Sequence, residues 1–492
     1  MSVLDNILKN DLSRRIYQSI KDLPILDYHC HLEAKDILED IPFTDISDMW
    51  LKHDHYKWRL MRRAGVDERL IYGNASKEEK FRAFANVAGF AFGNPVQDWA
   101  NLELSKYFGI DLPLCLENAD AIRSLANSVI QERQLSPRKL LEISNVEYLA
   151  TTDDPITDLK YHIQLADEGF KTIVKPTFRV DRCFNIDAPD FWDYVVKLTE
   201  IAKTDASFDG FLQAVRIRAK EFKSAGCQFS DVGVEGLLDW NTELDVIKAW
   251  LSRASYQTNL SDINDVPFKR YESSGNEKPL KTLPAHASVY SYKSAKEIFD
   301  NRRTSTIKSN QRQAYLKFMT QFWLDLCYKN GFTVQMHLGV LRNVNKRAFK
   351  KLGADTGFDA ATAAINTNGL RRLLSELDDL PNIILYVLNP TAYHSITTIA
   401  ESFPNVSIGV PWWFNDHKRG LFEYFEIMSD LSHIGCIPGM TTDGRSYLSY
   451  ARHDYFRAIL ASFLSRFEGG DERIMEVAKA ISYGNMKKRL TK

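Results

Sequence analysis

Eight short apolar runs punctuate the 492-residue chain, at residues 25–31, 146–151, 172–176, 227–230, 333–336, 383–388, 406–410 and 437–441. From residue 146 onward, amphipathic helical segments separate them, with faces such as Phe191, Tyr194, Val195 and Leu198 or Phe456, Ile459, Leu460, Phe463, Leu464 and Phe467. Runs this short are strand-length. Strands that alternate with helices build parallel sheets, because a parallel neighbour needs a crossover long enough to hold a helix. Eight of them predict an α/β fold, a distorted (β/α)8 TIM barrel, with a doubly wound open sheet as the competing arrangement.

The alternation lapses between about residues 46 and 140. There Phe81, Phe84, Val87 and Ala88 share one helical face, and Ile122, Leu125, Ala126, Val129 and Ile130 repeat the spacing of a buried helix stripe. The expected organisation is therefore an N-terminal segment with strand one (1–45), a helical insertion after strand one (46–140) and the remainder of the barrel (141–492). Residues 257–294 carry Ser-Ser-Gly-Asn at 273–276 and prolines at 267, 279 and 284. That composition predicts a polar excursion between strands four and five.

Charge narrows the partners. With 63 basic and 64 acidic residues the formal net charge is -1, and no basic run marks a nucleic-acid or membrane surface. No segment is long and apolar enough to span a bilayer, and the first 23 residues are too charged for a signal peptide. The six cysteines lie far apart without a Cys-x-x-Cys pair, which fits a reducing, cytoplasmic setting. A small-molecule substrate and a homo-oligomeric assembly are expected.

In a (β/α)8 barrel the chemistry sits where the strands end. Run one ends in His29 and His31, which project to the same face of a strand and can reach one metal ion. The spacing alone is weak, since 11 histidines supply about 0.25 His-x-His pairs by chance, so partners must carry the reading. Those partners are His337 at the end of run five and Asp443 after run eight, oxygen and nitrogen donors suited to zinc or another divalent ion. Run three ends in Lys175 and then Arg179, run four near Asp231, run seven in Trp412 and Trp413, and Arg445 follows Asp443. The stretch from Asp54 through His55, Tyr56 and Lys57 to Arg59 opens the insertion, where a lid over the barrel mouth would lie.

Taken together these stretches resemble the uronate isomerase (glucuronate isomerase) family of the amidohydrolase superfamily. The resemblance rests on Asp27 to His31, Asp54 to Arg59 with Gly65 to Arg69, Thr151 to Pro155, Pro176 to Arg179, Gln335 to Gly339 with Leu341 to Asn343, Asp355 to Asp359, Trp412 to Asp416, Thr442 to Ser446 and Tyr450 to His453, all in family order. Gly444, where the family pattern leads one to expect serine, is a mild departure.

The resemblance implies an aldose–ketose isomerase that interconverts D-glucuronate with D-fructuronate and D-galacturonate with D-tagaturonate through an enediol. It also implies one divalent ion, commonly zinc, held by His29, His31 and Asp443, with His337 beside it as a further ligand or substrate contact. In the roles that follow, the ion orients the open-chain sugar acid and Asp443 handles the proton. Tyr56 and Arg445 face the C1 and C2 oxygens, Arg179 with His55 grips the C6 carboxylate, and Trp412 and Trp413 floor the site. A metal-dependent hydrolase, a decarboxylase and a non-enzymatic ligand-binding barrel are the competing readings.

Overall fold

The computed structural model of the protein describes residues 3–238, 289–302, 306–362, 365–377 and 379–491. Its strands are β1 (Ile25–Asp27), β2 (Val146–Ala150), β3 (Ile173–Lys175), β4 (Thr177–Arg179), β5 (Phe229–Val232), β6 (Thr333–Leu338), β7 (Val340–Leu341), β8 (Ala360–Ala361), β9 (Ile383–Val387) and β10 (Val406–Ile408). They form a parallel sheet in the order β1-β2-β3, a second parallel sheet in the order β10-β9-β6-β5-β4, and a small antiparallel β7-β8 pair. The α/β class and the parallel pairing match the sequence pattern. The strand assignments give two sheets rather than one closed ring.

Two local causes account for that difference. The third apolar run yields β3 and ends at Pro176, which has no amide to donate to the ladder, and a separate strand, β4, begins just beyond it. Pairing nevertheless continues past the break: Thr151 N donates to Lys175 O (3.0 Å), Thr177 N to Thr151 O (3.1 Å) and Arg179 N to Asp153 O (2.9 Å). The eighth run, expected as a strand at 437–441, contains Pro438 and Gly439 and adopts no strand; a 3-10 turn, Ile434–Cys436, precedes an irregular segment.

That segment still lies along β1. Asp443 N donates to His29 O (3.1 Å) and His31 N to Gly444 O (2.9 Å). The fully buried Asp27 supplies what the missing ladder does not, accepting from Thr441 Oγ1 (2.7 Å), Thr442 N (2.8 Å) and Thr442 Oγ1 (2.5 Å).

Between β1 and β2 every regular element is helical, and α1 (Ile46–Leu51), α2 (His55–Arg63), α3 (Lys77–Gly89), α4 (Pro95–Glu103) and α5 (Ala119–Arg133) pack there. Their faces are the predicted ones: Phe81, Phe84, Val87 and Ala88 are buried, and Trp50 packs on Phe81 and Phe84 with ring centroids 5.7 and 5.6 Å away. From Ile122 to Ile130 only part of the stripe is inside, since Leu125 is exposed. Of the polar excursion, residues 257–288 lie outside the described residues; from Val289 the chain is a helix, Val289–Asn301. Two further helices bear on the site, α6 (Lys160–Asp167) and α7 (Ala451–Leu464).

Candidate metal and acid-base site

The first strand brings its two histidines to one carboxylate. His29 and His31 follow β1, and their Nε2 atoms lie 3.3 and 3.0 Å from the same oxygen of Asp443, Oδ1. One ligand atom from each of the three residues falls within 4.8 Å of the others. Two imidazole nitrogens and a carboxylate are a donor set that suits zinc and comparable divalent ions. On its far side His29 Nδ1 faces Asp231 Oδ2 at 3.8 Å, and among the described residues neither this nitrogen nor Asp231 Oδ1 has a hydrogen-bond partner. His31 and Asp443 are 23% and 12% exposed, so the cluster opens to ligand on that side.

Charge at the cluster is unevenly placed. Burial pushes the Asp443 carboxyl up, but the hydrogen bonds and charges of His29 and His31 outweigh it and hold the group well below the usual carboxylate range. Burial lowers His31 to about 4. Burial also opposes charge on His29, yet Asp443 and Asp231 raise it above the ordinary imidazole value. Asp443 is held in the left-handed region at φ +47, and Trp413 and Asp355 are at φ +54 and +57. Other left-handed non-glycine residues, such as Asp40, Gln134 and Lys203, cap helices, whereas Asp443 belongs to the cluster itself.

The lid side is built by a helix cap. Asp54 caps α2, accepting from Tyr56 N (3.0 Å) and Lys57 N (3.2 Å), which fixes the first turn and hence the directions of His55 and Tyr56. Tyr56 Oη lies 3.5 Å from Asp443 Oδ2. His55 stacks on Tyr56 (centroids 4.7 Å) and meets Trp413 edge-on at 5.6 Å. It stands with Tyr56, whereas Arg179 is engaged elsewhere: Nε to Asp181 (2.9 Å) and Nη1 to Asp231 (2.9 Å). Arg445 Nη2 reaches Asp355 Oδ2 at 3.4 Å, and its Nε is buried without a partner.

His337 sits beside the metal cluster rather than in it. Its ring is 4.9 Å from that of His29, its Nδ1 is 3.3 Å from Val232 O, and it stacks on Tyr386 at 4.9 Å. Burial, with the charges of His29 and Arg179, depresses its pKa well below the ordinary imidazole value. Trp412 packs edge-on to His337 (5.2 Å), and both tryptophans belong to a buried cluster with Tyr28 and Tyr386. A cleft of about 290 Å³ adjoins them, lined by His55, Tyr56, Trp99, Trp413 and Phe414 among others.

The sequence places Asp231 at the end of run four and Arg342 inside a family motif, but assigns a role to neither. Asp231 is completely buried and touches the environments of His29, His337 and Arg179 at once. The available signal was its place directly after Phe229 and Ser230, one residue beyond the run as bounded at 230. Arg342 lies over the Trp413 ring (5.4 Å) and donates to Asp359 (2.8 Å); only its motif position pointed to it.

The Thr151 to Pro155 motif serves a different end. Thr151 Oγ1 bridges Asp153 Oδ2 (2.6 Å) and His162 Nε2 of α6 (2.8 Å). Burial, with added repulsion from Glu33 and Asp231, pushes the Asp153 carboxyl up from 3.8 to about 7. The folded state then binds an extra proton between about pH 4 and 7, so Asp153 costs stability as pH rises through that window. Relative to the parent protein, Asp153→Asn is expected to gain melting temperature from pH 4 to 7 and to level off above 7. Thermal melts across pH check this; a pH-independent difference would contradict it.

The chain is similar to known proteins along nearly its whole length. The glucuronate isomerase family model matches residues 2–274 and 268–489. A uronate isomerase of Clostridium perfringens is 35% identical over 504 residues, covering 98% of both chains. A uronate isomerase of Thermotoga maritima has a crystal structure that superposes with a TM-score of 0.85 at 30% identity, over 99% of this chain and 98% of that one. The glucuronate isomerase of Caulobacter crescentus shares the fold, with a TM-score of 0.83 at 23% identity over 99% and 96% of the two chains. With matches that run nearly end to end, the chain belongs to the glucuronate isomerase family.

Proposed function

We infer that the protein is an aldose–ketose isomerase acting on hexuronates, interconverting D-glucuronate with D-fructuronate and D-galacturonate with D-tagaturonate. The observation that carries the mechanism is the meeting of Tyr56 Oη with Asp443 Oδ2, at 3.5 Å, beside two imidazoles and the Arg445 guanidinium. The reaction removes the C2 proton of an open-chain aldehyde acid, passes through an enediol and returns a proton to C1.

In this reading Asp443, held ionised by its two histidines, accepts the proton directly or through a substrate hydroxyl. Tyr56 and Arg445 donate to the oxygens at C1 and C2 as negative charge develops there. Arg179 meets the C6 carboxylate through charge-assisted hydrogen bonds, sharing its guanidinium with Asp181 and Asp231. His55 backs Tyr56 through its ring stack and lines the cleft beside it, where it meets the substrate. His337, Trp412 and Trp413 form the wall that orients the carbon chain. His29, His31 and Asp443 would hold one divalent ion, zinc by the chemistry of the donors, which when bound supplies a Lewis-acid anchor for oxygens of the sugar acid.

The two sheets are read as arcs of one distorted (β/α)8 barrel, supported by the pairing of 151–153 with β4 and of 443–444 with 29–31. The helices between β1 and β2 form its lid, within the 46–140 segment of the proposed organisation. A reducing cytoplasm suits six free cysteines, and a homo-oligomer completes the reading. Among the described residues no helix is long and apolar enough to cross a membrane.

Incubation with D-glucuronate tests the function. A keto-uronate of unchanged mass is expected. Release of carbon dioxide would indicate a decarboxylase, and no reaction in the metal-loaded protein would remove the isomerase reading.

A further inference from the structure

The motif Tyr450 to His453 has no place in the chemistry above, yet Arg452 lies where the helix of Tyr56 and the segment of Asp443 meet. Arg452 stands in the first turn of α7 and is 2% exposed. Its guanidinium lies 4.2 Å from the Trp99 ring centroid on α4 and 5.2 Å from that of Tyr56 on α2. Its Nη1 donates to Thr442 O (3.2 Å), the carbonyl immediately before Asp443, and is 3.9 Å from Asp416 Oδ2.

We propose that Arg452 is a positioning residue that ties Tyr56 to Asp443, one guanidinium holding the backbone next to the carboxylate while covering the ring of the phenol. The proposal rests on the reading of Tyr56 and Asp443 as the reacting pair. Tyr56 and Asp443 come from different parts of the fold, a lid helix and an irregular segment with a left-handed residue. Their direct contact of 3.5 Å is long for a hydroxyl on a carboxylate, which normally closes to about 2.5–2.7 Å. It does not by itself hold the two elements in register. Arg452 does so from a third element, using its flat face for the rings and its edge for the carbonyl. A lysine ammonium keeps the charge but cannot do both at once. The duller alternative is that Arg452 only offsets buried carboxylates such as Asp416, Asp54 and Glu103.

The two roles separate in a double-mutant cycle on the full-length, metal-loaded protein, with kcat and KM for D-glucuronate and bound metal per chain measured together. Arg452→Lys is expected to lower kcat by about 10- to 100-fold with KM nearly unchanged and metal content intact, the scale of a misplacement near 1 Å. Adding it to Tyr56→Phe should cost little more, because the hydroxyl it positions is already gone. Losses that multiply in the double variant, or parental kcat in Arg452→Lys, would overturn the proposal. Parental turnover in Tyr56→Phe would remove the role of Tyr56 and this proposal with it. Should Arg452→Lys not fold, Arg452→Gln enters the same cycle with the same criteria.

Discussion

Asp443→Asn is expected to lower kcat/KM for D-glucuronate by about 10³-fold or more, with a fall in bound divalent metal. General acid–base groups are typically worth 10²- to 10⁴-fold, and here the same residue also supplies an anionic ligand. The substitution is chosen because it spares the backbone. Asn tolerates the left-handed conformation that residue 443 adopts at φ +47, so the segment beside β1 can persist while the charge is lost. The two histidines would then face an amide in place of the carboxylate oxygen they share. Steady-state kinetics with elemental analysis of the same preparation checks both halves. A variant that keeps its metal and its turnover would end the assignment of Asp443.

The second large effect is expected at Arg445. Arg445→Met should reduce kcat by about 10²- to 10³-fold, the loss seen when a preorganised oxyanion donor is removed. Metal content should stay intact, because Arg445 is not among the three clustered ligand residues. Among the described residues the guanidinium is engaged by a 3.4 Å contact to Asp355, and the side chain is 27% exposed, so the group can reach substrate. Near-parental activity in a folded, metallated Arg445→Met would contradict the role. These two variants thus differ in a second readout: Asp443→Asn is expected to release metal and Arg445→Met to keep it.

The fold was legible where period and length agreed. β9 is buried over all five residues, as a near-continuous apolar run in a parallel sheet should be, and the Phe81 to Ala88 face lies inside as its spacing requires. It was least legible in the eighth run, where Pro438 and Gly439 sit in an otherwise apolar stretch and side chains of Asp27, Thr441 and Thr442 replace a ladder. No periodicity reports a contact of that kind.

The site divides in the same way. His29, His31 and Asp443 come together because all three lie where β1 and the eighth segment run side by side, a placement that follows from the alternation of the chain. Chain position puts Tyr56 over the barrel mouth, but its role came only from family resemblance, since it reaches the site from a helix whose docking depends on tertiary packing. Asp231 shows the opposite failure. It sits at a strand end, where functional residues are sought, but its meaning comes from neighbours at 2.9, 3.8 and 4.0 Å, on three other parts of the chain.

The central claim is that this site moves a proton between C2 and C1 of a sugar acid. Incubating the metal-loaded protein with D-glucuronate in deuterated water and following the products by NMR tests it most directly. A keto-uronate is expected, with solvent deuterium at C1 in those turnovers where the accepting group exchanges before returning its proton. A metal-loaded protein that forms no keto-uronate would contradict the mechanism.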